Sequence, residues 1–174
     1  MRDRLWLPAV IGLGGNLGDR EATLREAVAE IAAIDGVQLE AASGIVESHA
    51  VKLDGVDEQA PNYLNAVAIV RCGLQPERLL DELNRIEAEH GRVRAERWGD
   101  RTLDLDIVTF ASFTQADDRL TLPHPRAWER PFVIVPWLQV QPDATLPGHG
   151  AIADLAAAHS DEVWTFAASP LVPA

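Results

Sequence analysis

Apolar residues along this chain follow two periodicities, and their alternation predicts a series of strands and helices. Trp6 to Gly12 is a short apolar run punctuated by Gly14, Gly15 and Gly18, the pattern of a buried strand entering a turn. From Arg20 to Ala33, Leu24, Ala27, Val28 and Ile31 recur at helical spacing, with Asp19 placed to cap the first turn. Val37 to Val46 alternates loosely as a second strand and Tyr63 to Arg71 as a third. In that third strand Leu64, Ala66, Ala68 and Val70 share one face, and Tyr63, Asn65, Val67 and Ile69 the other. Pro76 suits the first turn of a helix striped by Leu79, Leu80, Leu83 and Ile86, ending near His90 with Gly91 as its stop. Leu103 to Phe110 reads as a fourth strand, and Gln115 to Arg119 as a turn into Leu120-Thr121-Leu122.

The order strand, helix, strand, strand, helix, strand is the split βαβ pattern of ferredoxin-like folds, in which two helices cover one face of an antiparallel sheet. The expected class is therefore α+β, with residues 1–174 as a single domain and a tail from about residue 160. Ser48 to Pro61 is polar, acidic and without periodicity, which predicts a long loop. Phe132 to Val140 is β-branched and contains Pro136, yet is long enough for a short helix, so periodicity leaves strand and helix both open. Ala151 to His159 is Ala-rich and predicted helical, whereas Pro170 and Pro173 predict irregular structure over Val163 to Ala174.

Composition narrows the function. With 174 residues, 47% of them apolar, the chain has enough material for one core. No apolar run approaches the roughly 18 residues of a membrane span. Arg2 and Arg4 precede a short apolar stretch, but Gly and Asn interrupt it and no export signal is expected. The lone Cys72 offers no internal disulfide and no thiolate metal site, which fits a reducing compartment and predicts a cytoplasmic protein. A net charge of -12 argues against nucleic acid as a partner, because such binding depends on a basic surface. Within that acidic background Arg85, Arg92, Arg94, Arg97 and Arg101 are concentrated in one stretch. Arginine is shaped for bidentate phosphate contact, so the cluster suggests a small polyanion; a solvated arginine-rich surface is the plainer alternative.

In Leu103-Asp104-Leu105-Asp106-Ile107, period-two geometry turns the apolar side chains to the core and both carboxylates to the other face. Their Cα atoms fall about 6.6 Å apart at roughly 3.3 Å per residue. Carboxylates converging from that spacing can hold two Mg²⁺ ions about 3.5 to 4 Å apart and clamp a reacting phosphate chain. Decoration of an exposed edge strand, or a structural network with the arginines, would place the same residues there. Arg101, three residues before Asp104, puts cations beside the carboxylates, as phosphoryl-type transfer requires.

Gly91-Arg92-Val93-Arg94, Arg97-Trp98-Gly99 and Arg101-Thr102-Leu103-Asp104-Leu105-Asp106-Ile107 together resemble the signature of the hydroxymethylpterin pyrophosphokinase family, and three further segments match it. Ile11-Gly12-Leu13-Gly14-Gly15-Asn16-Leu17-Gly18 is similar to its opening motif, and Pro61-Asn62-Tyr63-Leu64-Asn65-Ala66 and Leu122-Pro123-His124-Pro125-Arg126 follow in order, with Arg130 and Phe132 at matching spacing. The resemblance runs from about Ile11 to Pro142 and implies transfer of pyrophosphate from ATP to 6-hydroxymethyl-7,8-dihydropterin. It implies Asp104 and Asp106 as ligands of two Mg²⁺ ions, and Arg92 and Arg101 as loop arginines on the phosphates. Trp98 would pack as that loop closes, His124 and Arg130 would contact ATP, and Glu87 would belong to the ATP site as a helix residue near the moving loop. Tyr63 and Phe132 would sandwich the pterin, with Asn65 and Ser48 at its polar edges. Plain core packing is the alternative for the two aromatics. A monomer is the working expectation, with a neighbouring folate-pathway enzyme as a possible partner. Gly15 stands where the family usually has Ser, Asp100 where it has Pro, and Ser48 to Gln59 barely keeps the family pattern. Gly14, Gly15 and Gly18 are too loosely spaced for a P-loop and are expected to permit a turn beneath the pterin. His49, His90, His149 and His159 carry no motif and no assigned function.

Overall fold

The computed structural model describes residues 4–52, 55–91 and 102–171. Arg92, Arg94, Arg97, Trp98, Gly99, Asp100 and Arg101 lie outside the described residues. The first apolar run forms β1 (Leu7–Gly15), in which Gly12, Gly14 and Gly15 continue the strand instead of ending it. Asp19 caps α1 (Arg20–Ala32) by accepting the Ala22 N–H at 3.2 Å, and Leu24, Ala27, Val28 and Ile31 are its buried stripe.

The expected second strand is two strands, β2 (Val37–Ala42) and β3 (Ile45–Ser48). The interruption has a local cause. Ser43 Oγ accepts the Val67 N–H at 2.9 Å and donates to Gly44 O at 2.7 Å, so a side chain replaces a ladder bond. The pattern-free acidic stretch is not a bare loop, since β4 (Ala50–Lys52) and β5 (Gly55–Asp57) pair as a hairpin too short to show alternation. Next come β6 (Tyr63–Cys72) and α2 (Pro76–Glu89), the latter with proline at its start as predicted. After them follow β7 (Asp104–Phe110) and a small hairpin of β8 (Gln115–Ala116) with β9 (Thr121–Leu122).

The ambiguous segment is a helix, α3 (Pro131–Val140), with Pro131 in its first turn and Pro136 inside it. Val133, Ile134 and Trp137 bury one stripe of it, and this packing outweighs the hydrogen bond that Pro136 cannot donate. A second small hairpin, β10 (Thr145–Leu146) with β11 (Gly150–Ala151), leads into α4 (Ile152–Ala157). The tail is not wholly irregular: β12 (Trp164–Ala167) pairs antiparallel with β3. Pro170 lies beyond that short strand and so does not interrupt it. Gly44 lets the two segments meet, because a Cβ there would stand 2.6 Å from Ala167 O.

The main sheet runs β12-β3-β6-β1-β7, with β2 also against β6, and these pairings are antiparallel. One face carries Ile11, Leu13, Leu64, Ala66, Leu105 and Ile107, packed with the buried stripes of α1 and α2. That layer realises the expected α+β arrangement. The other face has two halves. Val10, Val67, Ile69 and Val108 form an apolar half covered by Ile134 and Trp137 of α3 and Ile152 of α4. The remaining half presents Gly12, Gly14, Asn65, Asp104 and Asp106 to a cavity that the first residues of α3 border. Among the described residues, no helix is long and apolar enough to cross a membrane.

Candidate active site

This half of the sheet face is the floor of a cavity of about 730 Å³. Register explains its shape. Gly14 lies between Asn65 of β6 and Asp104 of β7, and Gly12 lies between Val67 and Asp106. With no side chains on these two β1 positions, the carboxylates and the amide reach a common space. At Gly14 the fit is close, since a Cβ would come within 2.4 Å of Asn65 Oδ1. Gly14→Ala should therefore displace the Asn65 amide and cost about 1–3 kcal/mol of stability, as overpacking of a filled site does. Thermal unfolding of the variant checks this, and an unchanged melting temperature would show that Asn65 moves freely.

Asn65 is itself 5% exposed, and its Nδ2 has no hydrogen-bond partner among the described residues. A buried donor left unpaired is costly unless a ligand satisfies it. Tyr63 and Phe132 line the same cavity, both half-buried, and Phe132 also packs against the core cluster under α3. The Arg130 guanidinium lies 5.6 Å from the Phe132 ring centroid. Ser48, level with Tyr63 across the β3–β6 pairing, completes this side. Asn16 Nδ2 donates to Pro61 O at 3.0 Å and Arg20 to Asn62 O at 2.8 Å, holding the approach to Tyr63 in place.

Asp104 and Asp106 are half-buried and face the cavity, while Leu105 is in the core between them. β7 is an edge strand, but its carboxylates are not surface decoration: His124, Arg126 and Arg130 share their space. His124 follows β9, and its backbone N–H donates to Val108 O at 2.8 Å, tying it to β7. Its Nδ1 accepts the Arg126 backbone N–H at 3.2 Å, so the neutral ring carries its proton on Nε2. Burial, reinforced by the Arg130 charge, pushes the His124 pKa down to about 4. Burial also lowers the Arg130 guanidinium from its usual range, opposed chiefly by Asp106.

The histidine shift has a stability consequence. An unfolded histidine titrates near about 6.5, so between there and about 4 the unfolded chain binds a proton that the folded chain refuses. His124 should therefore add no pH dependence above about 6.5 and should lower stability as pH falls below it. His124→Gln is expected to lose less stability than the parent between pH 7 and 4.5 in thermal melts. Parallel losses in the two proteins would contradict the neutral assignment.

Glu87 is the exception among the described candidates. It is 2% exposed and lies with Leu79, Leu83 and Ile86 on the buried stripe of α2, packed on the sheet face opposite the cavity. It does not line the cavity. Conversely, His49, Glu129 and Glu162 do line it without having been singled out in the sequence. Gly14 and Gly15, expected in a turn, lie inside β1, whereas Gly18 follows the strand with a φ of 71°; the i, i+2 spacing of Gly12 and Gly14 was the available signal for their place in the strand.

The family model described as 7,8-dihydro-6-hydroxymethylpterin-pyrophosphokinase (HPPK) matches residues 10–142. The chain belongs to this family. It is 40% identical over 142 residues to the 2-amino-4-hydroxy-6-hydroxymethyldihydropteridine pyrophosphokinase of Synechocystis sp., covering 82% of this chain and 70% of that one. Against the Haemophilus influenzae protein of the same name, identity is 40% over 155 residues, covering 89% and 94%. The fold also matches a crystal structure of Plasmodium falciparum HPPK-DHPS wild type with pteroate, at a TM-score of 0.71 and 12% sequence identity. That match covers 92% of this chain but 45% of the Plasmodium chain, so the HPPK-family fold here spans under half of that protein. Each of the four segments that resemble the family contributes residues to the cavity: Gly12 and Gly14, Tyr63 and Asn65, Asp104 and Asp106, and His124 and Arg126.

Proposed function

We propose that this chain transfers pyrophosphate from ATP to 6-hydroxymethyl-7,8-dihydropterin, giving the pterin diphosphate and AMP in folate biosynthesis. The observation that supports this most is the polarity of the cavity across the sheet. Aromatic and amide groups stand over β3 and β6, and paired carboxylates, His124 and Arg130 stand over and beside β7. A flat heterocycle carrying one hydroxymethyl group fits that order, with its ring toward Tyr63 and Phe132 and its hydroxyl toward Asp104 and Asp106.

Tyr63 and Phe132 hold the ring by stacking, which suits a planar ligand. Asn65 uses its unpaired Nδ2 on the ring's polar edge, and Ser48 flanks it. The triphosphate lies against Arg130 and the Nε2–H of His124; neutrality of that ring lets it donate without adding a charge that must be desolvated. Arg92, Arg101 and Trp98, beyond the described residues, act over the phosphates and exclude water. The hydroxymethyl oxygen attacks the β-phosphorus, a new O–P bond forms, and the bond from β-phosphorus to the α–β bridging oxygen breaks, so AMP leaves with that oxygen. The hydroxyl proton passes to water.

Asp104 and Asp106 fit two Mg²⁺ ions brought in with ATP, because magnesium is typically held by one or two carboxylates completed by substrate phosphates. When bound, Mg²⁺ would offset charge on the β- and γ-phosphates. The enzyme is expected to act in the cytoplasm as a monomer. The HPPK-DHPS composition of the Plasmodium chain supports a second folate enzyme as a neighbouring partner. A coupled assay of AMP release tests the function: release should require both MgATP and the pterin alcohol. Release without the pterin would reduce the protein to an ATP hydrolase.

A further inference from the structure

Residues 143–171 follow the segment that the family match covers, yet part of them reaches the cavity. A 3-10 turn, Ser160–Glu162, leads directly into β12, and Glu162 lines the cavity. Its position is fixed by contacts on both flanks. Trp164 pairs with Glu47 of β3, and its indole N–H donates to Glu47 Oε1 at 2.9 Å. Arg20 holds the other carboxylate oxygen of Glu47 at 2.9 Å and lies over the Phe166 ring of the same strand, 5.7 Å from its centroid. The Trp164 ring meets His49 edge-on, with centroids 5.1 Å apart, and His49 also lines the cavity. On the other flank, His159 Nδ1 lies 3.1 Å from Glu162 Oε1, which leaves Oε2 for another partner.

We propose that Glu162 is a specificity-determining residue of the heterocycle site, its carboxylate accepting the N–H donors of the ring edge farthest from the reacting hydroxymethyl group. The inference rests on the pterin reading above. Across the sheet the cavity runs from β12 and β3 to β7, and Glu162 stands at the end opposite Asp104 and Asp106. If the hydroxymethyl group points to those aspartates, the distal edge of the pterin points to Glu162. That edge carries the 2-amino group and the N3–H, two adjacent donors. A carboxylate is an acceptor-only group with lone pairs to match them. Asn65, whose Nδ2 has no partner among the described residues, can donate to an acceptor of the ring, and a single amide offers one acceptor atom against the two adjacent donors of the distal edge. On this side of the cavity Glu162 shares the lining with Ser48, His49 and Val56 of the stretch that departs from the family pattern.

The test is calorimetric titration of the whole chain with 6-hydroxymethylpterin, with its 2-oxo counterpart that lacks the amino donor, and with a MgATP analogue that cannot react. Glu162→Gln is the main variant. Asp161→Asn, the neighbouring exposed carboxylate that does not line the cavity, is the control. Glu162 is exposed, so Glu162→Gln should keep the parent melting temperature. Glu162→Gln is expected to bind the pterin about tenfold more weakly, the scale of a lost charged hydrogen bond, and to bind the nucleotide as before. Its preference for the pterin over the 2-oxo compound should shrink, while Asp161→Asn keeps it. An unchanged pterin affinity in Glu162→Gln, or an equal loss in Asp161→Asn, overturns the proposal while leaving the pterin reading intact. A parent protein that binds the nucleotide but not the pterin overturns both.

Discussion

Asp104→Ala and Asp106→Ala should each reduce turnover by on the order of 10³-fold or more, because each removes an electrostatic group where phosphate charge is handled. Both should leave the fold standing. The two side chains face the cavity, whereas the alternate positions Leu105 and Ile107 lie in the core and hold β7 to the helices behind it. Removing either carboxylate also removes an opposite charge near Arg130, which its partner still balances in part. Circular dichroism melts and the AMP-release assay, run on the same preparations, separate the two effects. Substantial activity in either variant at saturating Mg²⁺ would remove the paired-carboxylate account, and loss of the melting transition would return these residues to a structural role.

Arg101→Ala is expected to lower kcat by roughly 10³- to 10⁵-fold, the range for an arginine that acts on charge developing during phosphoryl transfer. Ground-state binding of MgATP and pterin should change far less, because a contact made only in the transition state does not contribute to substrate affinity. Arg101 lies outside the described residues, so the expectation comes from its place three residues before Asp104 and from the family resemblance. Single-turnover rates at saturating substrates, set beside equilibrium binding, decide the matter. A variant that binds poorly but reacts normally once saturated would make Arg101 a binding residue only.

Long, regular elements were legible because their periodicity reports burial directly. The Leu24–Ile31 stripe and the two faces of β6 emerge in the structure as read from the sequence. Proline at the start of α2 and Asp19 before α1 fixed helix starts through local chemistry. The failures share a physical cause, which is structure held by partners far away in sequence. β12 is four residues long and exists because β3 offers it an edge, and Gly44 is what allows the approach. The break at Ser43 between β2 and β3 depends on Val67, which lies 24 residues along the chain. No local pattern encodes either.

At the site, residue types with few other uses in a strand were legible: Asp104 and Asp106 stand out because aspartate is a poor strand former. Gly12 and Gly14 were harder, since a glycine's contribution there is empty space that only the facing Asn65 and Asp104 reveal. Glu87 stands apart from the other described candidates because its helix carries it to the sheet face opposite the cavity. Glu162 carried no signal at all, as a lone glutamate in a tail is ordinarily solvated.

Phosphorus NMR of a complete reaction mixture tests the central claim most directly, because it identifies what bond is broken. With ATP, Mg²⁺ and 6-hydroxymethyl-7,8-dihydropterin, the account predicts AMP and a pterin diphosphate ester in equal amounts, with the β- and γ-phosphorus signals moving together. Appearance of ADP with a pterin monophosphate, or of ADP and free phosphate alone, would contradict attack at the β-phosphorus and with it the assigned function.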